Sequence, residues 1–287
     1  MALYAYDEGK ILIYAADAKE RHSYKCIGCD SSVRVRKGPK RIAHFYHLRK
    51  SATCRLFGKS EDHLFAQLSI QKMLPVGEVV LEKSFSDILR VADLVWEPQK
   101  IIFEIQCSLI QEMETQERVN DYLKIGYQVV WILDDRIFNR KIVRSAEKWM
   151  RQMPCYYATV RGQPIPFFYD QFEIFHQERR VKKGQRLKIE LHKPSYLPKI
   201  TFEEDLFPKQ IIQKAIPERL YFKGDLLHKA LLSHAIPTLA ISMQTLRHLE
   251  LSYEPSRLNV GKTIYNITFE LLGCLMHYLQ KANEKWG

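Results

Sequence analysis

The sequence predicts an α/β fold whose core runs in the order helix, three antiparallel strands, helix, strand. The segment RVADLVWEPQKIIFEIQ at 90–106 has the composition of two apolar strands joined by a tight turn. The stretch YQVVWIL at 127–133 is a short apolar run typical of a buried strand. A helix is expected at 111–125, between these strands, and a helix in that position indicates a crossover connection.

Capping and breaking residues mark the ends of the predicted helices. Ser60 can cap the first helix, which opens with two acidic residues that suit the positive end of the helix dipole. Pro75 ends this helix, and a further strand is expected at 78–84. Gly126 ends the second helix.

Composition divides the chain into three zones. Residues 1–59 are strand-like and rich in Cys, His and basic residues, and residues 60–138 hold the predicted core. Residues 139–287 are basic, and we expect them to be mainly helical. The elements predicted there are a loop-rich basic segment at 176–199 and helices at 225–248 and 260–284.

The distribution of charge predicts a polyanionic partner. The 287-residue chain has a formal net charge of +11 and a sequence pI of about 9.3. Residues 1–139 carry 20 Lys/Arg and 19 Asp/Glu, whereas residues 140–287 carry 24 and 14. Residues 31–60 hold nine basic residues and no acidic one. Nucleic acid is the first candidate for such a partner.

The start of the chain and its hydropathy bear on its compartment. We find no secretory signal and no run of 18 or more apolar residues, so we expect no membrane partner. Three of the six cysteines fall between 26 and 54. The prediction is a cytoplasmic protein with reduced thiols, in which clustered cysteines bind metal rather than form disulfides.

The same cysteines lie in a pattern typical of a structural zinc site. Cys26 and Cys29 form a Cys-x2-Cys pair, and His44, His47 and Cys54 follow at short range. Five candidates compete for four places. We favour Cys26, Cys29, His47 and Cys54, with His44 as the alternative. The plain alternative is a free Cys-x2-Cys pair with incidental histidines.

The apolar hairpin carries acids that need a partner. An unpaired buried carboxylate costs several kcal/mol. Residues two apart in a strand share a face, so Glu104 and Gln106 point the same way. If 97–100 turns the chain, Asp93 converges with Glu104. Two carboxylates beside an amide suit a hard cation such as Mg²⁺ or Mn²⁺. Either acid alone also suits a wet strand edge or an ion pair with arginine.

Together these residues resemble the competence protein CoiA family over about residues 20–135. The residues that carry the resemblance are Ser-Glu-Asp-His at 60–63, Asp93, Glu-Ile-Gln at 104–106, Ser108, Arg118, Tyr122 and the Cys/His segment with its HFYH. The middle zone also resembles the PD-(D/E)xK nuclease superfamily, which implies a restriction-endonuclease-like core. Gln106 stands where that motif has lysine, and Ala92 stands where proline often precedes the aspartate.

The resemblance implies roles for individual residues. Asp93 and Glu104 are expected to bind Mg²⁺ or Mn²⁺, and Gln106 to orient a water molecule. Glu61 is expected to supply another carboxylate, and His63 to face the phosphate. Lys72 or Arg118 is expected to provide the charge that Gln106 lacks. The plain alternatives are that the residues of the first helix are ordinary surface groups, and that Arg118 and Tyr122 only pack and hydrogen-bond.

Three functions compete at this point. The first is a metal-dependent DNA endonuclease that acts on recombination intermediates during competence and natural transformation. The second is a catalytically inactive DNA-binding accessory factor with the same fold, and the third is an adaptor whose zinc knuckle binds another protein. The expected partners are single-stranded or branched DNA, recombination proteins and a second copy of the chain through an apolar helix at 263–280. The residues expected to bind DNA are Arg34, Arg36, Lys37, Lys40, Arg41, Arg118 and Tyr122.

Overall fold

The computed structural model describes residues 1–49, 54, 56, 58–176, 178–197 and 220–235. The chain divides into two compact units. The first unit contains residues 1–139 and 145–167, and the second contains residues 140–144 and the chain from residue 168 onward. No helix within these described ranges is long and apolar enough to cross a membrane.

An antiparallel five-stranded sheet forms the N-terminal module of the first unit. Its strands are β1 (Tyr4–Tyr6), β2 (Leu12–Tyr14), β3 (Tyr24–Cys26), β4 (Ser32–Gly38) and β5 (Arg41–His47), in the spatial order β2-β1-β3-β4-β5. Successive side chains of β4 point to opposite faces of the sheet. Val33 therefore packs in a core with Tyr24 and Phe45, whereas Arg34 and Arg36 are exposed.

The core of the first unit has the predicted order of helix, three strands, helix, strand. Its elements are α1 (Glu61–Met73), β6 (Val79–Phe85), β7 (Arg90–Trp96), β8 (Ile101–Gln106), α2 (Glu112–Lys124) and β9 (Gln128–Asp134), followed by α3 (Ser145–Met150) and β10 (Cys155–Thr159). Strands β6, β7 and β8 pair antiparallel, whereas β8, β9 and β10 pair parallel. Helix α1 packs against β6, β7 and β8, and α2 packs against β9. Every residue of β8 is buried, which explains its unbroken apolar composition.

The turn between β7 and β8 brings the two acid-bearing strands together. Lys100 donates its backbone N–H to the carbonyl of Glu97 at 3.2 Å, and its φ of 53° is left-handed. The pairing of β7 with β8 includes Leu94 opposite Phe103. Asp93 and Glu104 are the next residues along each strand, so they lie opposite each other on one face of the sheet.

The second unit differs from the sequence prediction. Its elements are β11 (Phe167–His176), β12 (Arg179–Lys188), β13 (Glu190–Tyr196), β14 (Leu220–Lys223) and α4 (Leu226–Ala235). Strands β11 and β12 form an antiparallel hairpin, and β13 pairs antiparallel with β14. The expectation of a mainly helical C-terminal region is therefore wrong for the described part of it, as is the expectation of a loop-rich segment at 176–199.

The physical reason is the pairing of the basic segment with the strand that precedes it. Strand β12 is basic, but it pairs with the aromatic strand β11, which has high β propensity. Arg180 of β12 is buried with its Nε 2.8 Å from Glu173 Oε1 of β11. The helix expected at 225–248 is present over Leu226–Ala235. The rest of it, the helix expected at 260–284 and the apolar segment at 263–280 lie outside the described residues.

Candidate active site and zinc site

Three thiols and one imidazole of the N-terminal module come together. The ligand atoms of Cys26, Cys29, His47 and Cys54 all lie within 4.8 Å of one another. Cys26 Sγ is 3.6 Å from Cys54 Sγ, and Cys29 Sγ is 3.3 Å from His47 Nε2. A tetrahedral ion with bonds of about 2.3 Å to sulfur and about 2.0 Å to nitrogen requires separations of about 3.5 to 3.8 Å. These four residues therefore fit a structural zinc ion.

Strand geometry explains why His47, and not His44, joins this cluster. Both histidines lie on β5, three residues apart, so their side chains point to opposite faces. His44 is buried, and its Nδ1 is 2.8 Å from the carbonyl oxygen of Ile42. The structure thus brings together the four residues that the sequence favoured and leaves the alternative histidine outside the cluster.

Asp93 lies among cations in the core of the first unit. Its Oδ1 is 2.7 Å from Lys59 Nζ and 3.1 Å from His63 Nε2, and its Oδ2 accepts the backbone N–H of Ile105 at 2.8 Å. Burial alone would raise the pKa of Asp93, but His63 and Lys59 outweigh it and hold that pKa well below its usual range. Asp93 is therefore ionised throughout the physiological pH range.

Glu104 has a different environment, although it lies opposite Asp93. Its Oε2 accepts a hydrogen bond from Arg118 at 2.9 Å, and its Oε1 accepts one from the hydroxyl of Tyr122 at 2.8 Å. Burial, and after it the charge of Asp93, raises the pKa of Glu104 to about 7, against the opposing effects of Arg118 and Tyr122. The two acids therefore differ in protonation near neutral pH.

Lys59 is the functional candidate that sequence analysis missed. Besides Asp93, its ammonium group binds Glu82 Oε1 at 3.0 Å, and Glu82 Oε2 accepts the backbone N–H groups of Leu3 and Tyr4. Lys59 directly precedes the helix cap Ser60 and is one of the nine basic residues of 31–60. The one available signal was the missing motif lysine, because Gln106 cannot carry the positive charge itself.

Asp93 and Lys59 line a cleft of about 130 Å³ in the first unit. Four parts of the fold line this cleft: the N-terminal module, the start of α1, strands β7 and β8 with the residues that follow β8, and α2. The lining residues that carry charge or hydrogen-bonding groups include Lys59, Ser60, His63, Arg90, Asp93, Gln106, Ser108, Arg118 and Tyr122. The lining is rich in cationic side chains, which suits an anionic ligand such as a phosphate group.

The remaining catalytic candidates take different positions. His63 is buried and lines the cleft, with its Nε2 3.1 Å from Asp93 Oδ1. Gln106 also lines it, and its amide donates to the carbonyl and hydroxyl oxygens of Ser108 at 2.6 and 3.2 Å. Glu61 is exposed at the start of α1, and Lys72 is exposed near its end; neither lines the cleft.

The predicted DNA-binding residues fall into two groups. Arg34, Arg36, Lys37, Lys40 and Arg41 are all exposed on the β4–β5 hairpin. The guanidinium of Arg36 lies over an aromatic ring at 4.6 Å, and Lys37 donates to two backbone carbonyls of the N-terminal module. Arg118 and Tyr122, in contrast, bind Glu104, and Tyr122 is buried.

This mixed α/β core has the arrangement of a nuclease-like protein, with Asp93 in a cation-rich cleft, Glu104 on the facing strand and a zinc-type cluster before them. The family model described as "Competence protein CoiA, nuclease-like domain" matches residues 58–210, and "Competence protein CoiA, N-terminal domain" matches residues 13–57. The chain belongs to the competence protein CoiA family, as its sequence motifs predicted. No curated protein and no solved structure was found to match it.

Proposed function

We propose that this chain is a metal-dependent DNA endonuclease of PD-(D/E)xK type that acts on recombination intermediates during competence and natural transformation. The observation that supports this best is the placement of Asp93 and Glu104 on facing strands beside a cation-rich cleft. Hydrolysis joins a water oxygen to phosphorus, breaks one P–O ester bond and delivers a proton to the leaving oxygen. Negative charge grows on the phosphate during this step, so the surrounding cations stabilise the transition state.

Asp93 and Glu104 fit Mg²⁺ or Mn²⁺ in ligand type, because these ions take oxygen ligands. Such an ion, when bound, polarises the phosphate and lowers the pKa of a bound water molecule. His63 Nε2 lies 3.1 Å from Asp93 Oδ1, so this imidazole also stands beside the proposed metal ligand.

The chain's own groups have separate tasks in this proposal. Asp93 and Glu104 are the proposed ligands of the ion. Burial and the charge of Asp93 raise the pKa of Glu104 to about 7, and a bound divalent cation would favour its ionised form. Arg118 and Tyr122 hold Glu104 in place and compensate its charge.

DNA would first meet the β4–β5 hairpin of the N-terminal module. Arg34, Arg36, Lys40 and Arg41 place four cations on one exposed hairpin, and contacts from such residues to phosphates release condensed counterions. These contacts carry no base specificity, which suits a protein that acts on single-stranded or branched DNA of any sequence. Zinc at the cysteine cluster would hold this hairpin in place.

One observation favours the second candidate, a DNA-binding accessory factor without activity. Both acids already have protein cations as partners, Asp93 with Lys59 and Glu104 with Arg118. A metal ion has to compete with these pairs. Gln106, whose amide is engaged with Ser108, adds no charge to replace them.

Cleavage assays separate the two candidates. Purified protein is incubated with labelled single-stranded, duplex, flap and branched DNA in Mg²⁺ or Mn²⁺, beside Asp93→Asn and Glu104→Gln. Exposed Asp87, which accepts a hydrogen bond from Ser86, provides the matched control Asp87→Asn. The proposal expects the wild type and the control to cut, and both site variants to bind DNA without cutting. Binding without cutting by the wild type on every substrate would establish the accessory factor instead.

A further inference from the structure

We propose that Lys59 is the catalytic cation of this cleft, and that its ammonium group contacts the phosphate beside Asp93 and stabilises the charge that develops there. This inference rests on the proposed nuclease function. It adds a residue that no motif in the sequence marks, because Lys59 lies outside both the Asp93 and the Glu-Ile-Gln segments.

The geometry supports a direct contact with a substrate. Lys59 is the one lysine that lines the cleft in the described part of the chain. An ammonium group has three N–H donors. Two acceptors are bound to Lys59, namely Asp93 at 2.7 Å and Glu82 at 3.0 Å. A third donor remains for an oxygen atom of a bound phosphate.

The two arginines at the cleft are held by acids of helix α2 or of β8. Arg118 binds both Glu104 and Glu114 at 2.9 Å. Arg90 binds Glu114 and Asp121 at 3.1 and 2.9 Å. These arginines therefore fix the helix and the second carboxylate. Asp93 instead has Lys59 Nζ at 2.7 Å and His63 Nε2 at 3.1 Å, and Lys59 is the shorter of these two contacts.

Two acids fix the position of Lys59. Its Nζ lies 2.7 Å from Asp93 Oδ1 and 3.0 Å from Glu82 Oε1, and its side chain is only 8% exposed. Lys59 therefore places a cation directly beside Asp93, where it can act as an electrostatic and hydrogen-bonding group.

The N-terminal module positions this lysine. Glu82, the second partner of Lys59, is itself bound by the backbone amides of Leu3 and Tyr4 in that module. Leu56 is buried in the module's core and also lines the cleft. A Cβ atom on Gly28, within the Cys-x2-Cys segment, would lie 3.4 Å from the Leu56 side chain, so this segment packs closely against Leu56. The module that fits zinc thus extends into the active-site cleft.

The test compares Lys59→Met, the double variant Lys59→Met/Gln106→Lys and the control Lys124→Met, which changes an exposed lysine near the end of α2. DNA affinity, melting temperature and single-turnover cleavage are measured for each. We expect Lys59→Met to lose about 10²- to 10³-fold in cleavage rate, the effect of removing one transition-state donor. The DNA affinity of each variant should change little. The double variant should regain at least about tenfold, because a lysine at 106 returns a cation to the same cleft.

Each outcome is decisive. Rescue by Gln106→Lys supports a charge at the phosphate, since a merely structural lysine at 59 would not be replaced from another strand. If Lys59→Met does not fold, Lys59→Met/Glu82→Gln removes the partner acid too, and it should fold without cutting. A wild-type cleavage rate in Lys59→Met or in Lys59→Met/Glu82→Gln would overturn the assignment of Lys59 and leave the proposed nuclease function standing. A wild-type protein that cuts no DNA would overturn the proposed function, and the assignment with it.

Discussion

Replacing Glu104 by glutamine should change how the free energy of unfolding depends on pH. Burial, followed by the charge of Asp93, raises the pKa of Glu104 from its ordinary 4.5 to about 7. The folded state therefore binds more protons than the unfolded state between these values, and stability is lost as the pH rises through 7. One pKa unit corresponds to about 1.4 kcal/mol, so the full loss is about 3 kcal/mol, of which about 2 to 3 kcal/mol falls between pH 5 and pH 8.

Urea denaturation at pH 5 and pH 8, followed by the fluorescence of buried Trp96 and Trp131, measures this difference. Glu104→Gln keeps the shape of the side chain but cannot ionise. Between pH 5 and pH 8 its free energy of unfolding should therefore fall by about 2 to 3 kcal/mol less than that of the wild type. The depressed pKa of Asp93 has the opposite sign and acts only as the pH falls below its ordinary 3.8, outside this window. Asp87→Asn should follow the wild type. Equal losses in Glu104→Gln and the wild type would refute the assignment of a buried, proton-exchanging Glu104.

Three further changes test other parts of the structure. Arg118→Met leaves Glu104 buried without its cation, and should destabilise the fold by about 3 to 5 kcal/mol at pH 8. The loss should be smaller at pH 5, where the carboxyl is protonated. A decrease in urea midpoint from wild type to variant that is the same at both pH values would contradict this. His47→Ala should lower zinc content, measured by elemental analysis, and melting temperature together, whereas His44→Ala should keep its zinc; the reasoning fails if both variants retain the metal equally. Arg34→Gln should weaken DNA binding and reduce the slope of log affinity against log salt by about 1, and an unchanged slope in fluorescence anisotropy would show that this residue does not contact phosphate.

The central hairpin could be predicted because its information is local. Alternation fixes which residues share a face, and the turn at 97–100 fixes the pairing that sets Asp93 opposite Glu104. The contact between Lys59 and Asp93 could not be predicted in this way, since it joins the end of one module to a strand 34 positions later.

The basic strand β12 shows a second limit of sequence reasoning. A row of lysine and arginine suggests a solvated loop when it is considered alone. In the structure the same row is a strand, because the partner that makes it one is the aromatic strand β11. Glu61 shows a third limit. An acid in the first turn of a helix is stabilised by the helix dipole whether or not it faces an active site. Its position in the sequence therefore cannot distinguish a helix-stabilising acid from a catalytic one.

The sequence boundary between the two matched family regions, at residues 57 and 58, is not a boundary in the folded molecule. A fragment beginning at residue 58 would lose the amides of Leu3 and Tyr4 that hold Glu82, and would leave that buried acid and its lysine partner facing solvent. The two regions therefore do not behave as independent folding units that can be exchanged between relatives. A chimera would have to preserve the hydrogen bonds between the backbone at the start of β1 and Glu82 of β6.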